Sequence, residues 1–244
     1  MPLSMNSRPV GGVVVIQCNG RIVAGAELFS LQSHIGDVLP KHCDVVLELE
    51  QVSFIDSSGL GGLVRMVSAA RAKGGDVKLS GLQQHVRKTL EMTNLLSLFE
   101  TYDSEAEAIM AAYLGSRYSR DKSRDARFRV LCVYDSVEVS ALLSEVLCRA
   151  GYNALTTGNV EDAKLLLRAT KAKLIILGAN MQSWQGKSTR KVFEEIDPSV
   201  SLIVLDQDFN RRDPGECVTK LLESIRSVSG NLVNEVRDPS ATHA

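Results

Sequence analysis

The chain has 244 residues, 28 Lys and Arg against 29 Asp and Glu for a formal net charge of −1, and 44% apolar residues. Near-neutrality gives no electrostatic reason for nucleic acid or an anionic membrane as a partner, and the apolar content suffices for one large or two small cores. The longest apolar runs, Val13 to Ile16 and Leu202 to Leu205, are far too short to cross a bilayer.

The residues up to Val10 are expected to form a loose arm. Val13 to Cys18 predicts a strand. Asn19-Gly20 is the strongest two-residue hairpin signal and would return the chain through Arg21-Ile22-Val23. Leu28, Leu31, Ile35 and Leu39 carry helical spacing, stopped by Pro40. Asp44 to Glu50 reads as a strand with apolar residues on both faces, as in a covered central strand. A helix follows from Ser58 to Lys73, closed by Gly74-Gly75. Asp76 to Ser80 predicts a strand, Leu82 to Met92 an amphipathic helix and Ser97 to Tyr102 a last strand. Ser104 to Glu107 then matches a capping box ahead of a helix ending near Leu114. The predicted order is β-β-α-β-α-β-α-β-α, one domain over residues 1–115.

Residues 116–127, within the polar run GSRYSRDKSRDAR, read as an exposed linker. A second domain is expected over 128–229. Its strands are Arg129 to Val133, Asn153 to Thr156, Lys173 to Leu177 and Ser201 to Leu205. Between them lie a helix with Val139, Leu142, Leu143, Val146 and Leu147 inward, a helix capped by Asn159, a loop holding Trp184, and a helix from Lys187 to Ile196. A helix from Glu216 to Val228 completes the domain, and residues 230–244 read as a disordered tail. Alternating strands and helices imply a parallel sheet wound by right-handed crossovers, so both domains are α/β. Trp184 is the single tryptophan, with core packing and an exposed interface anchor both open to it.

The five cysteines are scattered without CxxC spacing, and the four histidines are dispersed. Met1-Pro2-Leu3-Ser4 lacks the basic and apolar regions of a signal peptide. Reduced cysteines, a cytoplasmic location, no metal site and no cofactor are therefore expected.

The stretch with the most chemical content is Ser53-Phe54-Ile55-Asp56-Ser57-Ser58-Gly59-Leu60-Gly61. It puts two hydroxyls where a strand stops and a helix starts, beside free backbone N–H groups. Asp56, Ser57 and Ser58 are all good N-caps, so capping alone accounts for them, and an anion at the helix start is the other role left open. Gly59-Leu60-Gly61-Gly62 has the wrong spacing for a dinucleotide site. GxSxG is absent and no histidine lies near in sequence, which disfavours a hydrolase with Ser57 as nucleophile.

The segment VVLELEQVSFIDSSGLGGL, the downstream GGDVKLSGL and the VRKTLEMTNLLSLFE segment resemble the STAS domain of bacterial anti-sigma factor antagonists, over Val45 to Tyr102. The resemblance implies a non-enzymatic switch with a mixed sheet. Ser57, directly after the aspartate, would be phosphorylated by an anti-sigma factor that is itself a serine kinase, with Ser58 the less favoured acceptor. Unphosphorylated, the surface made by Asp56, Ser57, Ser58, Gly59, Leu60 and Gly61 would bind that kinase and release the sigma factor. A metal-dependent serine/threonine phosphatase would reset the switch. Arg21-Ile22-Val23 departs from the acidic Glu-Leu-Asp common at that position in the family. The alternative within the same resemblance is a scaffold subunit of a large stressosome-like signalling assembly.

The second domain resembles the receiver domain of response regulators through VLCVYDS and KLIILGANMQ. By that match the first acidic position is Tyr134, leaving Asp135. The phosphoacceptor position is Gly178, and Asp206 stands where a hydroxyl is expected. The resemblance thus implies a flavodoxin-like pseudo-receiver used for docking or homodimerisation. Asp135, Asp206 and Asp208 form a weak candidate cation set.

Overall fold

The computed structural model describes residues 1–40, 44–115, 128–206, 209 and 214–237. The chain divides into two units, Met1–Asp121 and Lys122–Ala244. The linker expected over 116–127, Cys43, Asp208 and residues 238–244 lie outside the described residues.

In the first unit β1 (Ser4–Val10) pairs antiparallel with β2 (Val13–Ile22), in register Val10 to Val13 and Ser4 to Asn19. The expected loose arm is therefore a strand. Its polar residues hide it in the sequence, but the turn at Gly11-Gly12 folds it onto β2, with Gly11 at φ 60°. Asn19-Gly20 is not a hairpin. It lies inside β2 at an irregularity in the pairing with β3 (Asp44–Ile55), where Gly20 has φ 114° and a Cβ would fall 2.2 Å from the Pro2 carbonyl oxygen. The predicted order of elements survives because the two misplaced strands compensate for each other.

β2, β3, β4 (Val77–Ser80) and β5 (Glu100–Tyr102) run parallel, giving the mixed sheet order β1-β2-β3-β4-β5. The helices are α1 (Ala26–Val38), α2 (Ser57–Ala72), α3 (Gln84–Met92) and α4 (Glu105–Gly115). Val14, Ile16, Leu47 and Leu79 pack with Leu31 and Ile35 of α1, Leu63 and Met66 of α2, and Val86 and Leu90 of α3. Alternation along each strand turns Val15, Val46 and Lys78 to the opposite side, the side on which α4 packs. The Tyr113 hydroxyl ties α4 to the first hairpin. It donates to the Val10 carbonyl at 2.7 Å and accepts from Gly12 N–H at 2.8 Å. Ser104 accepts from Glu107 N–H at 3.2 Å, the bond expected of a capping residue.

In the second unit β6 (Arg129–Val133), β7 (Asn153–Thr157), β8 (Leu174–Leu177) and β11 (Ser201–Val204) form a parallel sheet in the order β7-β6-β8-β11. α5 (Val137–Arg149) buries Val139, Leu143 and Leu147, but Leu142 is exposed. α6 (Val160–Thr170) is capped by Asn159, which accepts from Asp162 N–H at 2.8 Å. The loop expected around Trp184 contains a hairpin, β9 (Ser183–Trp184) and β10 (Lys187–Ser188). Both of its turn residues have positive φ, Gln185 at 47° and Gly186 at 75°, as the right-handed twist of a two-residue hairpin demands. α7 (Thr189–Glu194) is correspondingly short. α8 (Pro214–Arg237) continues past Gly230, where a tail was expected. The apolar spacing of Leu221, Ile225 and Val228 runs on through Leu232 and Val236, and one glycine does not end it.

Candidate functional site

Sequence reasoning divided the Ser53–Gly61 stretch between strand, loop and helix, and the structure moves the division. β3 is twelve residues long and keeps Ser53, Phe54 and Ile55 within the strand. Asp56 alone makes the transition, with φ −90° and ψ 177°, and α2 begins at Ser57. Asp56 is held on three sides. Its N–H donates to the Ile22 carbonyl at 3.2 Å. One carboxylate oxygen accepts from Gly59 N–H at 2.7 Å, and the other accepts from Ala24 N–H at 2.9 Å. The carboxylate thus caps α2 and fastens the β2–α1 connection to it. The Ala24 N–H, then the Gly59 N–H, hold its carboxyl below the usual carboxylate range against the opposing effect of burial, with a smaller contribution from the charge of Arg21. Asp56 is therefore ionised at neutral pH.

Gly59 explains how closely α2 sits on the strand ends. A Cβ there would lie 2.2 Å from the Ile22 carbonyl oxygen and 2.9 Å from a methyl of Ile55. At Gly62 a Cβ would meet Leu28 of α1 at 2.5 Å, whereas at Gly61 it would find only ordinary contact with Arg65. Gly59 and Gly62 serve close packing, and Gly61 leaves the exposed side of the helix bare. Leu60 is buried at 5% exposure and belongs to the core. Ser57 is exposed and Ser58 half-buried. Among the described residues no side-chain hydrogen bond engages the Ser57 hydroxyl. The six residues predicted to act together are thus brought together with distinct placements: Ser57 outward, Asp56 as the clasp, Ser58 and Gly61 at the margin, Gly59 and Leu60 beneath.

Three large exposed side chains stand on β2, β3 and α1. Phe54 is 46% exposed, Phe29 of α1 is 74% exposed, and the Arg21 guanidinium stands 5.7 Å from the centre of the Phe54 ring. Arg21 pairs with Phe54 in the β2–β3 register. Treating Asn19-Gly20 as a turn removed Arg21 from that strand and with it the signal that the two side chains meet.

Among the described residues no histidine or thiol is paired with Ser57. His34 is engaged with Ser7, and Cys18 and Cys132 are buried thiols pushed up to about 12 by desolvation. Cys148 is exposed and Cys217 half-buried. Among the described residues there is no group of three or more metal-ligating side chains, and no helix is long and apolar enough to cross a membrane.

In the second unit the carboxyl ends of β6 and β8 carry Tyr134-Asp135 and Gly178-Ala179-Asn180. Asp135 accepts from the Asn180 amide at 3.3 Å. Tyr134 is buried at 8% exposure, and a Cβ on Gly178 would meet its ring at 2.8 Å. The ring fills the space into which a side chain at position 178 would grow. Asp206 is exposed. Trp184 is half-buried under the ammonium of Lys164, 4.5 Å from its ring centre.

Residues 4–108 match the STAS domain family. The chain belongs to that family. The anti-sigma F factor antagonist of Paenibacillus polymyxa is 26% identical to it over 108 residues, spanning 40% of this chain and 85% of its own length. BtrV of Bordetella bronchiseptica, assigned as an anti-sigma factor antagonist, is 30% identical over 101 residues, 41% of this chain and 86% of its own. A solved Thermotoga maritima protein with the same assignment is 24% identical, with a TM-score of 0.42, over 44% of this chain and 93% of its own. The STAS domain accounts for the first unit and includes the whole Asp56–Gly61 loop.

Proposed function

We propose that the STAS domain is a phosphate-switched anti-sigma factor antagonist whose acceptor is Ser57. The observation that carries this reading is the exposed Ser57 hydroxyl on the first residue of α2, beside a carboxylate clasp that fixes the loop without engaging it. In the unmodified state the loop and the outer side of α2 bind a serine-kinase anti-sigma factor and free its sigma factor. A phosphate on Ser57 adds roughly −1.5 to −2 charges within that contact. The helix N-terminus tolerates the charge, so the fold persists while the contact fails. A serine/threonine phosphatase returns the unmodified state.

The second unit we read as a receiver-like domain without phosphotransfer, serving docking or homodimerisation. Its strand order is the doubly wound one, in which the second strand lies outside the first and the third and fourth follow on the other side. The acceptor position by that reading is Gly178, which has no side chain to phosphorylate.

The test is to incubate the chain with candidate anti-sigma kinases and ATP, map phosphate by mass spectrometry, and measure kinase capture by Ser57→Ala and Ser57→Asp. The expected result is phosphate on Ser57, retained capture by Ser57→Ala, and lost capture by a normally folded Ser57→Asp. Phosphate only elsewhere, or equal capture by both variants, overturns the reading.

A further inference from the structure

Arg21 lies where β2 and β3 run together towards the Asp56 loop. It is exposed, paired in register with Phe54, and its guanidinium rests over the Phe54 ring at 5.7 Å. Among the described residues no carboxylate forms an ion pair with it. Two residues beyond Phe54 is the Asp56 carboxylate, whose charge Arg21 already feels, and Ser57 comes next. Each Asp56 oxygen already accepts a backbone N–H, one from Ala24 and one from Gly59. A cation therefore waits on an aromatic face beside a loop whose anion is already engaged.

We infer that Arg21 is the internal counter-ion of a phosphorylated loop: a phosphate on Ser57 draws the guanidinium off the Phe54 ring and holds it at the start of α2. This rests on the reading of Ser57 as the acceptor. The driving difference is chemical. A guanidinium over an exposed phenyl ring is weakly held. Guanidinium–phosphate hydrogen bonds are charge-assisted and about twice as strong as neutral ones. Modification then changes the surface in two ways. The phosphate is partly neutralised, and the half-exposed Phe54 ring loses its polar cover. A partner selective for the modified form meets a bare aromatic ring next to a phosphate–arginine pair.

The test needs no kinase. Phosphoserine is placed at position 57 of the full chain by genetic encoding, and its second ionisation is followed by phosphorus NMR in the parent, Arg21→Gln and Arg21→Lys proteins. The ionisation of a free phosphoserine lies near pH 6. One positive charge paired at about 4 Å through water lowers it by roughly 0.8 of a pH unit. The parent and Arg21→Lys are expected to titrate lower than Arg21→Gln by about that much or more, and 1 M salt is expected to remove most of the difference. The Arg21 Nε–Hε signal is expected to lose its ring-current shift when phosphate is present. Should Arg21→Gln disturb the fold, the salt dependence of the parent and its Nε–Hε signal decide the matter alone. Equal titration in all three proteins, or a salt-independent parent whose Arg21 signal does not move, overturns the inference. Failure of every kinase to modify Ser57 would instead overturn the preceding functional reading and leave this measurement untouched.

Discussion

Replacing Asp56 measures what its clasp contributes to the stability of the first unit. Asp56→Ala removes the cap bond to Gly59 N–H and the bond to Ala24 N–H together. Loss of an N-cap costs about 1 kcal/mol, with a range of roughly 0.5–2. Ala24 is exposed, so water takes over its N–H, and the second bond adds at most about 0.5–1 kcal/mol. The expected total is about 1.5–2 kcal/mol, which for a urea slope of roughly 1–3 kcal/mol per molar shifts the midpoint by about 1 M. Asp56→Asn is the control. Asparagine caps as well as aspartate, but its single carbonyl oxygen serves only one of the two N–H groups. It should recover about 1 kcal/mol of the loss. Trp184 belongs to the second unit, so tryptophan fluorescence follows that unit, and far-UV circular dichroism or amide exchange must follow the first. The pH dependence has a definite sign. The carboxyl of Asp56 is lower in the folded than in the unfolded chain, so its contribution is fully present above the unfolded value near 3.9 and is lost as the pH falls through the folded value. The difference between parent and Asp56→Asn should therefore shrink below about pH 4. An Asp56→Ala midpoint equal to that of the parent, or a parent–Asn difference that persists unchanged to pH 2, would refute the clasp.

Three further outcomes follow from the same reasoning. Gly59→Ala forces a methyl to within 2.2 Å of the Ile22 carbonyl, and backbone cannot yield as a flexible side chain can. The first unit should lose about 1–3 kcal/mol by amide exchange, while Gly61→Ala, in open contact with Arg65, should lose none. Gly178→Ala should destabilise the second unit by about 1–2 kcal/mol in a fluorescence-monitored urea titration, and Tyr134→Ala should relieve that cost in the double variant; additive losses would contradict the contact at 2.8 Å. Glu48 is the opposite case to Asp56, since burial first, and then the charges of Glu50 and Glu105, raise its carboxyl above the usual range although Glu50 N–H donates to it. A raised carboxyl penalises the folded state above its folded value and not at all below its unfolded one. Glu48→Gln should therefore stabilise the first unit at pH 7 and be neutral below about pH 4.

The alternation of elements and the location of the Ser57 loop were legible because they rest on periodicity and on the stop and start signals of α2. Apolar spacing at Leu60, Leu63 and Val67, with Gly74-Gly75 behind it, needs no partner to be recognised. β1 was not legible. Its residues make sense as a strand only when laid beside β2, and a turn signal two residues wide misdirected the pairing. The Arg21–Phe54 contact was lost for the same reason, being a property of register between strands some thirty residues apart. The distinction between Gly59, Gly61 and Gly62 was also beyond the sequence, where all three are one letter. Only the atoms opposite them separate a helix pressed onto a carbonyl from a helix open to a partner.

The two units pose one structural question and answer it differently. In each, a parallel strand ends at its carboxyl edge and hands the chain to a helix, which is where α/β folds gather their ligands. At the end of β3 the anion is a clasped carboxylate, and the neighbouring hydroxyl faces outward with a guanidinium close by. At the end of β6 an aromatic ring lies flush against Gly178, and the Asp135 carboxylate is bound by the Asn180 amide. On the inference drawn above, a phosphate added to the first edge meets a helix N-terminus and the Arg21 guanidinium. At the second edge Gly178, the acceptor position by the receiver-like reading proposed above, carries no side chain, and the Tyr134 ring holds the space above it. On the two readings proposed above, control by phosphate at the second site would require two substitutions, one to supply an acceptor at 178 and one to remove the ring, whereas the first site requires none.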